Sequence, residues 1–534
     1  MPQRLLLTLG SALFIAMIGL PLLAVLAIGL SAIGEPSALD WLSQTVLPLY
    51  LVNSLLLCLG TLLVAFLLGL PPAWFVTQYE FALRRVVEWS LIIPMAMPAY
   101  VISYAYTDAL DYSGWLSVMV RTEWLGMEGS AGRSWWPEIR SLPGACLVLG
   151  AALSPYVALL AKSAFEDRQL NLAEAARSLG LSSLQAYYRV VLPLARPALV
   201  AGAALVLMEC LADYGTVAFF SVQTLSTGLF KTWFGYGDRN AAALLGLLML
   251  VLAVALLEAE RQGRGSSSYV SKPGANRPRL PLQGAARVWV PFVSLLGGAL
   301  GFVVPTLLLV HAAMTGAEPI EWGRLVSQSA QTAMYGAYGI AVIVPIAFLL
   351  AYAQRLGGLG WSSAALRMAA SGYAVPGLVV AVGLLGWSML FTQWAYVFFD
   401  WRVTLTTTIV LLLGGYLTRF FTVGFAAIEV SLGRITESLD WSARSLGLSP
   451  RAVLLRVHLP IMQRGAWVAS LLVFVDIVKE LPLTLVLRPM NVETLATAAH
   501  HFASDERLAD AAAPSLAIAL VGLLPLLILG PRLR

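Results

Sequence analysis

The seven-residue stretch ARSLGLS occurs at residues 176–182 and returns unchanged at residues 443–449. The two copies lie 267 residues apart, which is half of the chain's 534 residues. Self-similarity at a fixed long spacing indicates a duplicated unit. We therefore expect two related halves, whose function has to be sought in the residues around each copy.

The composition indicates an integral membrane protein. Hydrophobic residues make up 59% of the chain and charged residues 12%, whereas about a quarter of the residues of a soluble domain are charged. The net charge of +5 is modest and bears on which loops face the cytoplasm rather than on nucleic acid. Three cysteines lie in apolar segments, without the spacing of a metal-binding pair, and are expected to be small buried side chains: Cys58, Cys146 and Cys210.

Apolar stretches long enough to cross a bilayer occur twelve times. A spanning helix needs about 20 apolar residues, because its backbone N–H and C=O groups must be satisfied within the segment. The predicted spans are 5–33, 49–77, 86–109, 143–165, 196–222, 240–258, 288–314, 326–353, 365–392, 403–429, 464–488 and 511–530. No cleavage site follows the first, so we expect it to be retained as a membrane helix. The predicted fold is an all-α polytopic membrane protein with two pseudo-symmetric six-helix halves.

A segment without apolar periodicity separates the halves. It reads EAERQGRGSSSYVSKPGANRPRLPLQGAAR, residues 258–287, and its Gly, Pro, Ser and Arg content is typical of a flexible linker. We place the first half at 1–258, the linker at 259–287 and the second half at 288–534.

The distribution of basic residues predicts the orientation. With the N-terminus in the cytoplasm, most Lys and Arg residues fall in cytoplasmic segments, as membrane proteins prefer. The same choice places both copies of the repeat, the linker and both termini on the cytoplasmic side. Six spans per half preserve the topology, so the repeat is predicted to be parallel.

The residues around the two copies also align. EAARSLGLSSLQAYYRVVLPLARP at 174–197 lies over WSARSLGLSPRAVLLRVHLPIMQR at 441–464. The matched positions include Gly180 with Gly447, Arg189 with Arg456, Leu192 with Leu459 and Pro193 with Pro460. Each segment is predicted to be a short helix, a Gly C-cap able to take positive φ, a Ser N-cap (Ser182, Ser449) and a second helix stopped before the Pro.

A helix-turn-helix outside the bilayer also describes DNA readers. A DNA reader has no need to lie twice, symmetrically, between membrane helices, so we expect no nucleic-acid partner. Two similar docking elements instead indicate two similar docking partners.

The first copy resembles the "EAA" loop of ABC importer permeases. Glu174, Ala175 and Ala176 are followed by Gly180, six residues after the Glu, and then by Leu-Pro at 192–193. The resemblance implies the type I ABC importer fold, in which this loop forms coupling helices that seat in clefts of ATP-hydrolysing subunits. It also implies an external protein that delivers the substrate.

The coupling loops are accordingly expected at about 168–195 and 434–461, each with one ATPase subunit. The second copy departs from the family pattern, because Trp441 and Ser442 stand where the first copy has Glu and Ala. Asp440, one residue earlier, is a possible substitute for that Glu. The retained positions are Ala443, Gly447, Leu459 and Pro460.

No nucleotide-binding motif accompanies these loops. A P-loop needs GxxxxGK[ST], so that backbone N–H groups and the Lys hold the phosphates. None of the four lysines follows a Gly: Lys162, Lys231, Lys272 and Lys479. We therefore expect ATP and Mg²⁺ on separate subunits, no cofactor on this chain and no enzymatic activity of its own.

Two pairs of acids fall in apolar segments after the loops. Glu209 aligns with Asp476 and Asp213 with Glu480, and both pairs are spaced i, i+4, which predicts one helix face for each pair. An ionisable group near the bilayer centre costs about 2.5 to 3.5 kcal/mol on insertion scales, so these acids are expected to face a polar interior. Three interpretations remain open: a cation path, hydrogen bonding to neighbouring helices with partial neutralisation by Lys479, or an external mouth that receives the delivering protein.

The substrate is indicated by resemblance alone. The stretches DYGT at 213–216 and KELPLTLVLRP at 479–489, in a chain with two fused halves, resemble the ferric-iron permeases. Thiamine importer permeases share the fused layout and stay an alternative. The rivals from other classes are an ion-gradient secondary transporter and a scaffold without transport.

No metal site is assigned from the sequence. His500 and His501 are expected to be solvated in an external loop, because adjacent residues do not converge on one helix face. His311 and His458 are each expected to stand alone.

Overall fold

The structure, a computed structural model, describes residues 2–33, 42–127, 135–166, 176, 178–264, 279–316, 318–355, 366 and 370–529. These residues are predominantly helical. Within them, extended pairing is confined to two short parallel strands, β1 (Tyr79–Glu80) and β2 (Leu280–Pro281).

The helices fall into long spans and short connecting turns. Up to the linker they are α1 (Pro2–Ser31), α2 (Leu47–Gln78), α3 (Arg84–Ser90), α4 (Ala99–Leu110), α5 (Trp115–Val118), α6 (Leu142–Glu166), α7 (Ser183–Ala186), α8 (Leu192–Ala212), α9 (Gly215–Phe219), α10 (Leu225–Phe230) and α11 (Arg239–Arg264). After it they are α12 (Ala286–Gly298), α13 (Val304–Thr315), α14 (Trp322–Arg355), α15 (Gly377–Phe399), α16 (Ile409–Gly433), α17 (Glu437–Ser445), α18 (Pro450–Val453), α19 (Leu459–Lys479), α20 (Pro482–Leu487), α21 (Leu495–Ser504) and α22 (Leu508–Leu529). Among the described residues, five π-helical turns join neighbouring elements at Met119–Trp124, Tyr187–Val191, Lys231–Gly235, Ala299–Val303 and Leu454–His458, and 3₁₀ turns lie at Ile93–Ala96 and Ala370–Ala374.

The all-α polytopic prediction is confirmed. Eleven helices of the described residues are long and apolar enough to cross a membrane, and a bent pair raises the number to twelve. The predicted span at 86–109 is broken, since Arg84–Ala96 and Ala99–Trp124 meet at 97°. Met97 is extended before Pro98, because a residue that precedes proline disfavours helical geometry.

Two other predicted spans are too long at their ends. The spans at 196–222 and 464–488 stop as helices at Ala212 and Lys479, because the next residue of each is extended. The predicted span at 365–392 also begins late, at Gly377, directly after the extended Pro376.

The described residues form two compact units, and the first combines Met1–Leu39, Leu229–Leu250 and Trp322–Thr497. In this unit α1 packs against α15 at Gly383, where a Cβ would clash with the Pro21 carbonyl. Thr418 of α16 donates to the Ile18 carbonyl over 3.2 Å. Small residues at helix contacts allow such close backbone approach within a membrane.

The second unit combines Asp40–Gly228, Val251–Glu321 and Ala498–Arg534. Its core includes Ala65 of α2, Val157 of α6 and Val206 of α8, which pack together fully buried. The first unit therefore contains α1 and the part of α11 up to Leu250 from the first sequence half, and the second unit contains α12, α13 and α22 from the second half. The predicted boundaries 1–258, 259–287 and 288–534 therefore describe the repeat in the sequence and not these compact units.

Candidate functional site

Each repeated phrase folds as a helix C-terminus closed by a left-handed glycine. The φ angles of Gly180 and Gly447 are +94° and +79°. Beyond each glycine the following leucine N–H donates back across the turn, Leu181 to the Ala176 carbonyl over 3.1 Å and Leu448 to the Ala443 carbonyl over 3.2 Å. This six-to-one bond satisfies a carbonyl that the ended helix leaves free. The two turns, one in each unit, thus share one backbone geometry.

A serine starts the next helical segment in both copies. Ser182 accepts from the Gln185 N–H over 3.2 Å while the Gln185 carboxamide oxygen accepts from the Ser182 N–H over 3.0 Å, which forms a capping box. Ser449 accepts from the Ala452 N–H over 3.3 Å. The predicted Ser caps are therefore present in the structure.

The prediction that the second helix stops before the Leu-Pro pair is wrong. A π-helical turn, Tyr187–Val191 or Leu454–His458, runs directly into α8 or α19, with Pro193 and Pro460 in the first turn of the following helix. The wider π turn accommodates a residue that has no N–H and whose ring clashes with the carbonyl four residues earlier. Each loop therefore passes without a break into a membrane span.

The side chains at the turns alternate between buried and exposed. Ala176 and Ala443 are buried, whereas Leu179 and Leu446 at the matched position are 87% and 82% exposed. Tyr188 and Leu455, also matched, are exposed as well. Glu174 and Ala175 lie outside the described residues. Both loops thus present apolar side chains on a firmly closed turn.

An ion network holds the second loop to a membrane helix. Arg355, at the end of α14, donates to the Asp440 carboxylate over 2.8 Å, and His458 Nε2 lies 2.6 Å from the other carboxylate oxygen. Arg355 also donates to the Leu432 and Ile435 carbonyls. The expectation that His458 stands alone is wrong, and the local sequence carries no sign of a partner as distant as Arg355.

The environment of Asp440 favours its charged form. Burial raises the pKa of the Asp440 carboxyl, but the hydrogen bonds and charges of Arg355 and His458 outweigh burial and hold its pKa below the usual value. Hydrogen bonds to an ionised group are stronger than neutral ones. Asp440 therefore serves to join α17 to α14 within its unit.

The intramembrane acids are not two residues on one helix face. Asp213 and Glu480 are extended residues just beyond the ends of α8 and α19. Asp213 accepts from the N–H groups of Thr216 and Val217, and Glu480 accepts from the Leu483 N–H over 3.0 Å. The i, i+4 prediction is wrong because these carboxylates satisfy the free N–H groups of the next short helix.

The other member of each pair stays within its helix. Glu209 lies on α8 and Asp476 on α19, and both are half-buried. Lys479, the last residue of α19, is also half-buried.

The surroundings of Asp213 and Glu480 differ. The Arg419 Nε lies 3.2 Å from the Glu480 carboxylate, and both side chains are buried. The residue that matches Arg419 in the first half is Ala152. Asp213 instead accepts from the Thr216 hydroxyl over 3.1 Å. The sequence motifs did not identify Arg419, because it lies outside both repeated segments.

The expectation that His500 and His501 are both solvated is wrong for His500. His500 lies on α21, is buried, and its Nδ1 is 3.1 Å from the Tyr104 hydroxyl. His311 also has a partner, since its ring packs 4.3 Å from the centre of the Trp115 ring.

Comparison with known proteins finds a family that matches one part of the chain and relatives that align with up to nearly its whole length. Residues 62–259 match the family described as "Binding-protein-dependent transport system inner membrane component". The Fe(3+)-transport system permease protein FbpB 2 of Haemophilus influenzae is 25% identical and aligns over 97% of each chain. The putative ferric transport system permease protein FbpB 1 of the same organism is 22% identical over 79% of this chain and 67% of that protein. The spermidine/putrescine transport system permease protein PotB of Escherichia coli is 30% identical over 32% of this chain and 62% of that protein.

Proposed function

We propose that this chain, a permease of the binding-protein-dependent transport family, forms the translocation path of an ATP-driven importer for ferric iron. Its family consists of inner-membrane transport components and not of enzymes. The ferric-iron assignment rests on similarity to two permeases named for ferric transport, one of them along nearly the whole chain.

The observation that carries the proposal is the pair of exposed leucines at 179 and 446. Each stands on a turn closed by a left-handed glycine, at matched positions of a duplicated loop. Covering one such side chain is worth about 1.5 to 3 kcal/mol, so a partner surface that covers it gains affinity. A rigid turn also transmits a displacement of that partner to the membrane helices, whereas a flexible turn would deform instead.

Two ATPase subunits are the partners that fit the loops at about 168–195 and 434–461. We assign the contact to Glu174, Ala175, Ala176, Gly180, Leu192, Pro193, Ala443, Gly447, Leu459 and Pro460. ATP and Mg²⁺ belong to those subunits, and no cofactor is required on this chain. ATP-driven closure of the ATPase pair would move both loops and shift the permease between two states.

An external binding protein supplies the substrate at the opposite face. This arrangement places the loops, the linker and both termini in the cytoplasm, as the distribution of basic residues predicts. Cysteine variants at 179 and 490, labelled from either side of sealed vesicles with a membrane-impermeant reagent, test it. Labelling of both from the same side would contradict the orientation.

Reconstitution tests the function. The full chain, its ATPase and its binding protein are placed in proteoliposomes, and ATP hydrolysis is measured with ferric iron or thiamine as substrate. We expect stimulation and ATP-dependent uptake with ferric iron alone. If thiamine alone stimulates ATP hydrolysis, the substrate is thiamine and not ferric iron. If a proton gradient drives uptake without the ATPase, the mechanism is that of a secondary transporter.

Leucine variants test the docking. Leu446→Ala is expected to weaken ATPase binding by about 10- to 100-fold, as loss of a covered leucine predicts. Met490→Ala is the matched control, because Met490 is equally exposed in the same unit but outside the loop. Equal binding by both variants would remove the loop from the interface.

A further inference from the structure

We propose that Tyr104, Tyr214, Asp213 and His500 form a single hard-donor site that receives the ferric ion inside the permease. The proposal rests on the proposed function, since it names where that cargo is held. All four residues belong to one compact unit.

The centre of the cluster is the contact between Tyr104 and His500. The Tyr104 hydroxyl lies 3.1 Å from His500 Nδ1, and the two side chains are 1% and 8% exposed. They come from α4 and α21, which are 396 residues apart in sequence. Two polar side chains brought together from such distant segments place an oxygen and a nitrogen donor at one buried point.

Further oxygen donors border this point. The buried Tyr214 ring centre lies 6.3 Å from that of His500. Asp213 and Tyr214 both lie within electrostatic range of the Tyr104 hydroxyl. The Tyr104 ring also packs edge-on against Phe219, 4.7 Å between centres, on the short helix that Asp213 caps. One carboxylate, two phenols and one imidazole thus lie near one another in this part of the unit.

The duplicated positions do not repeat this cluster. Val382 corresponds to Tyr104, because each lies six residues after the Pro that precedes its helix, Pro376 or Pro98. Leu481 corresponds to Tyr214, and Phe230 corresponds to His500, because each lies six residues after the matched capping threonines 224 and 494. The acid that corresponds to Asp213 is Glu480, whose charge is neutralised by Arg419. Duplication would have given two sites, but the substitutions leave one, which suits the passage of one ion at a time.

Asp213 has no arginine at the position that pairs with Glu480, because Ala152 stands there. The Arg140 guanidinium lies 4.8 Å from the Phe219 ring centre. It donates to both Glu506 carboxylate oxygens, over 2.7 and 2.6 Å, so its charge is balanced. A cation is thus the charge that Asp213 can still accommodate.

The donor set matches the chemistry of a small, highly charged cation. Carboxylate and phenolate oxygens are hard ligands, imidazole suits iron, and tyrosinate is an established iron ligand. Binding displaces the Tyr104 phenol proton to water, so the phenolate and carboxylate offset the ionic charge. The tyrosines are essential to the set, because the described His, Cys, Asp and Glu residues form no group of three that could hold a metal.

The test measures iron binding to the full-length chain in detergent, without the binding protein. Ferric nitrilotriacetate is titrated in, and the visible charge-transfer band of an iron–phenolate bond is recorded. We expect a band in the wild type, its loss in Tyr104→Phe, and at least a tenfold weaker apparent affinity in His500→Ala. Loss of a residue that binds the metal directly should weaken affinity at least as much as loss of a residue that only supports a ligand, which costs about 10- to 100-fold.

Tyr106→Phe and His501→Ala are the controls. Tyr106 lies on the same helix, but its hydroxyl donates to the Leu300 carbonyl over 2.7 Å, and His501 is the immediate neighbour of His500. Both controls should keep the band. Tyr214→Phe, which removes one oxygen and no volume, provides a second conservative variant should Tyr104→Phe fail to fold, and should weaken the band.

No band in the wild type, or a band of undiminished intensity in Tyr104→Phe or, should that variant fail to fold, in Tyr214→Phe, would overturn the site. Loss of the band in the controls would do the same. The proposed function is decided separately by ferric-stimulated ATP hydrolysis, which persists if only the site is wrong and is absent if ferric iron is not the substrate.

Discussion

Arg419 and Glu480 form a buried ion pair, with Nε 3.2 Å from the carboxylate and side-chain exposures of 8% and 6%. Glu480 also caps the short helix α20 through the Leu483 N–H. The pair therefore holds α16, the end of α19 and α20 together within one unit. Breaking a buried pair on one side leaves an uncompensated charge, which is more costly than removing both charges.

Arg419→Met is accordingly expected to destabilise the protein by about 3 to 5 kcal/mol. Combining it with Glu480→Gln should recover much of this loss, because the charge disappears while the amide oxygen still accepts from the Leu483 N–H. Thermal unfolding in detergent is the measurement. The control is Arg324→Met, which breaks the more exposed pair with Glu493 and should cost about 0 to 1 kcal/mol. Equal losses of stability in Arg419→Met and Arg324→Met would show that burial does not make the Arg419–Glu480 pair more costly to break.

Gly447→Val should lower the retention of ATPase on the permease. Valine at φ +79° is strained by about 1 to 2 kcal/mol, although no neighbour lies within 4 Å of the added Cβ. Gly447→Asn should be milder, since asparagine visits this region, and Gly433→Ala, in ordinary helix, should be neutral. Co-purification of the ATPase is measured for each, and the same ranking is expected at Gly180. Identical retention in the Val and Asn variants would show that the left-handed turn does not matter.

Asp440→Asn should uncouple ATP hydrolysis from uptake. It removes the charge that joins Arg355 and His458, at a cost of about 1.5 to 3 kcal/mol for hydrogen bonds to a charged group. The uptake per ATP hydrolysed is the measurement, and Glu437→Gln, an exposed change on the same helix, is the control. Unaltered coupling in Asp440→Asn would mean that the network only stabilises the fold.

The pH dependence of this network has a definite sign. Because the folded pKa of Asp440 is held below its usual value, its stabilisation is complete above the unfolded value of about 3.9 and is lost as the pH falls through the folded value. The contribution of this carboxylate to coupling should therefore be constant between about pH 6 and 8. Uptake per ATP, compared between wild type and Asp440→Asn across that window, checks this. Because His458 contacts the same carboxylate, the comparison is repeated with His458→Gln in both backgrounds. A ratio that still changes across the window would contradict the assignment.

Glu209→Ala or Asp476→Ala should lower uptake at least tenfold while assembly and basal ATP hydrolysis persist. An ionisable residue kept within a span despite its cost marks a transport path by default. Iron uptake in proteoliposomes is the measurement. Glu138→Ala, an exposed acid outside the spans, is the control. Normal uptake in both variants would take these acids out of the path and leave the packing interpretation.

Much of the loops could be predicted from the sequence. Helix caps are local, so Gly180, Gly447, Ser182 and Ser449 could be placed from their neighbours along the chain. The continuation through Leu-Pro was missed because a π turn depends on how the following span is packed.

The sequence by itself determined the membrane-spanning helical class, the duplication and the two turns, because hydrophobic length and capping act over a few residues. Only the tertiary structure decided which spans share a unit, that Arg419 meets Glu480, and that Tyr104 meets His500. Those contacts join residues far apart in the chain, and no local periodicity encodes a partner that only packing brings within hydrogen-bonding distance.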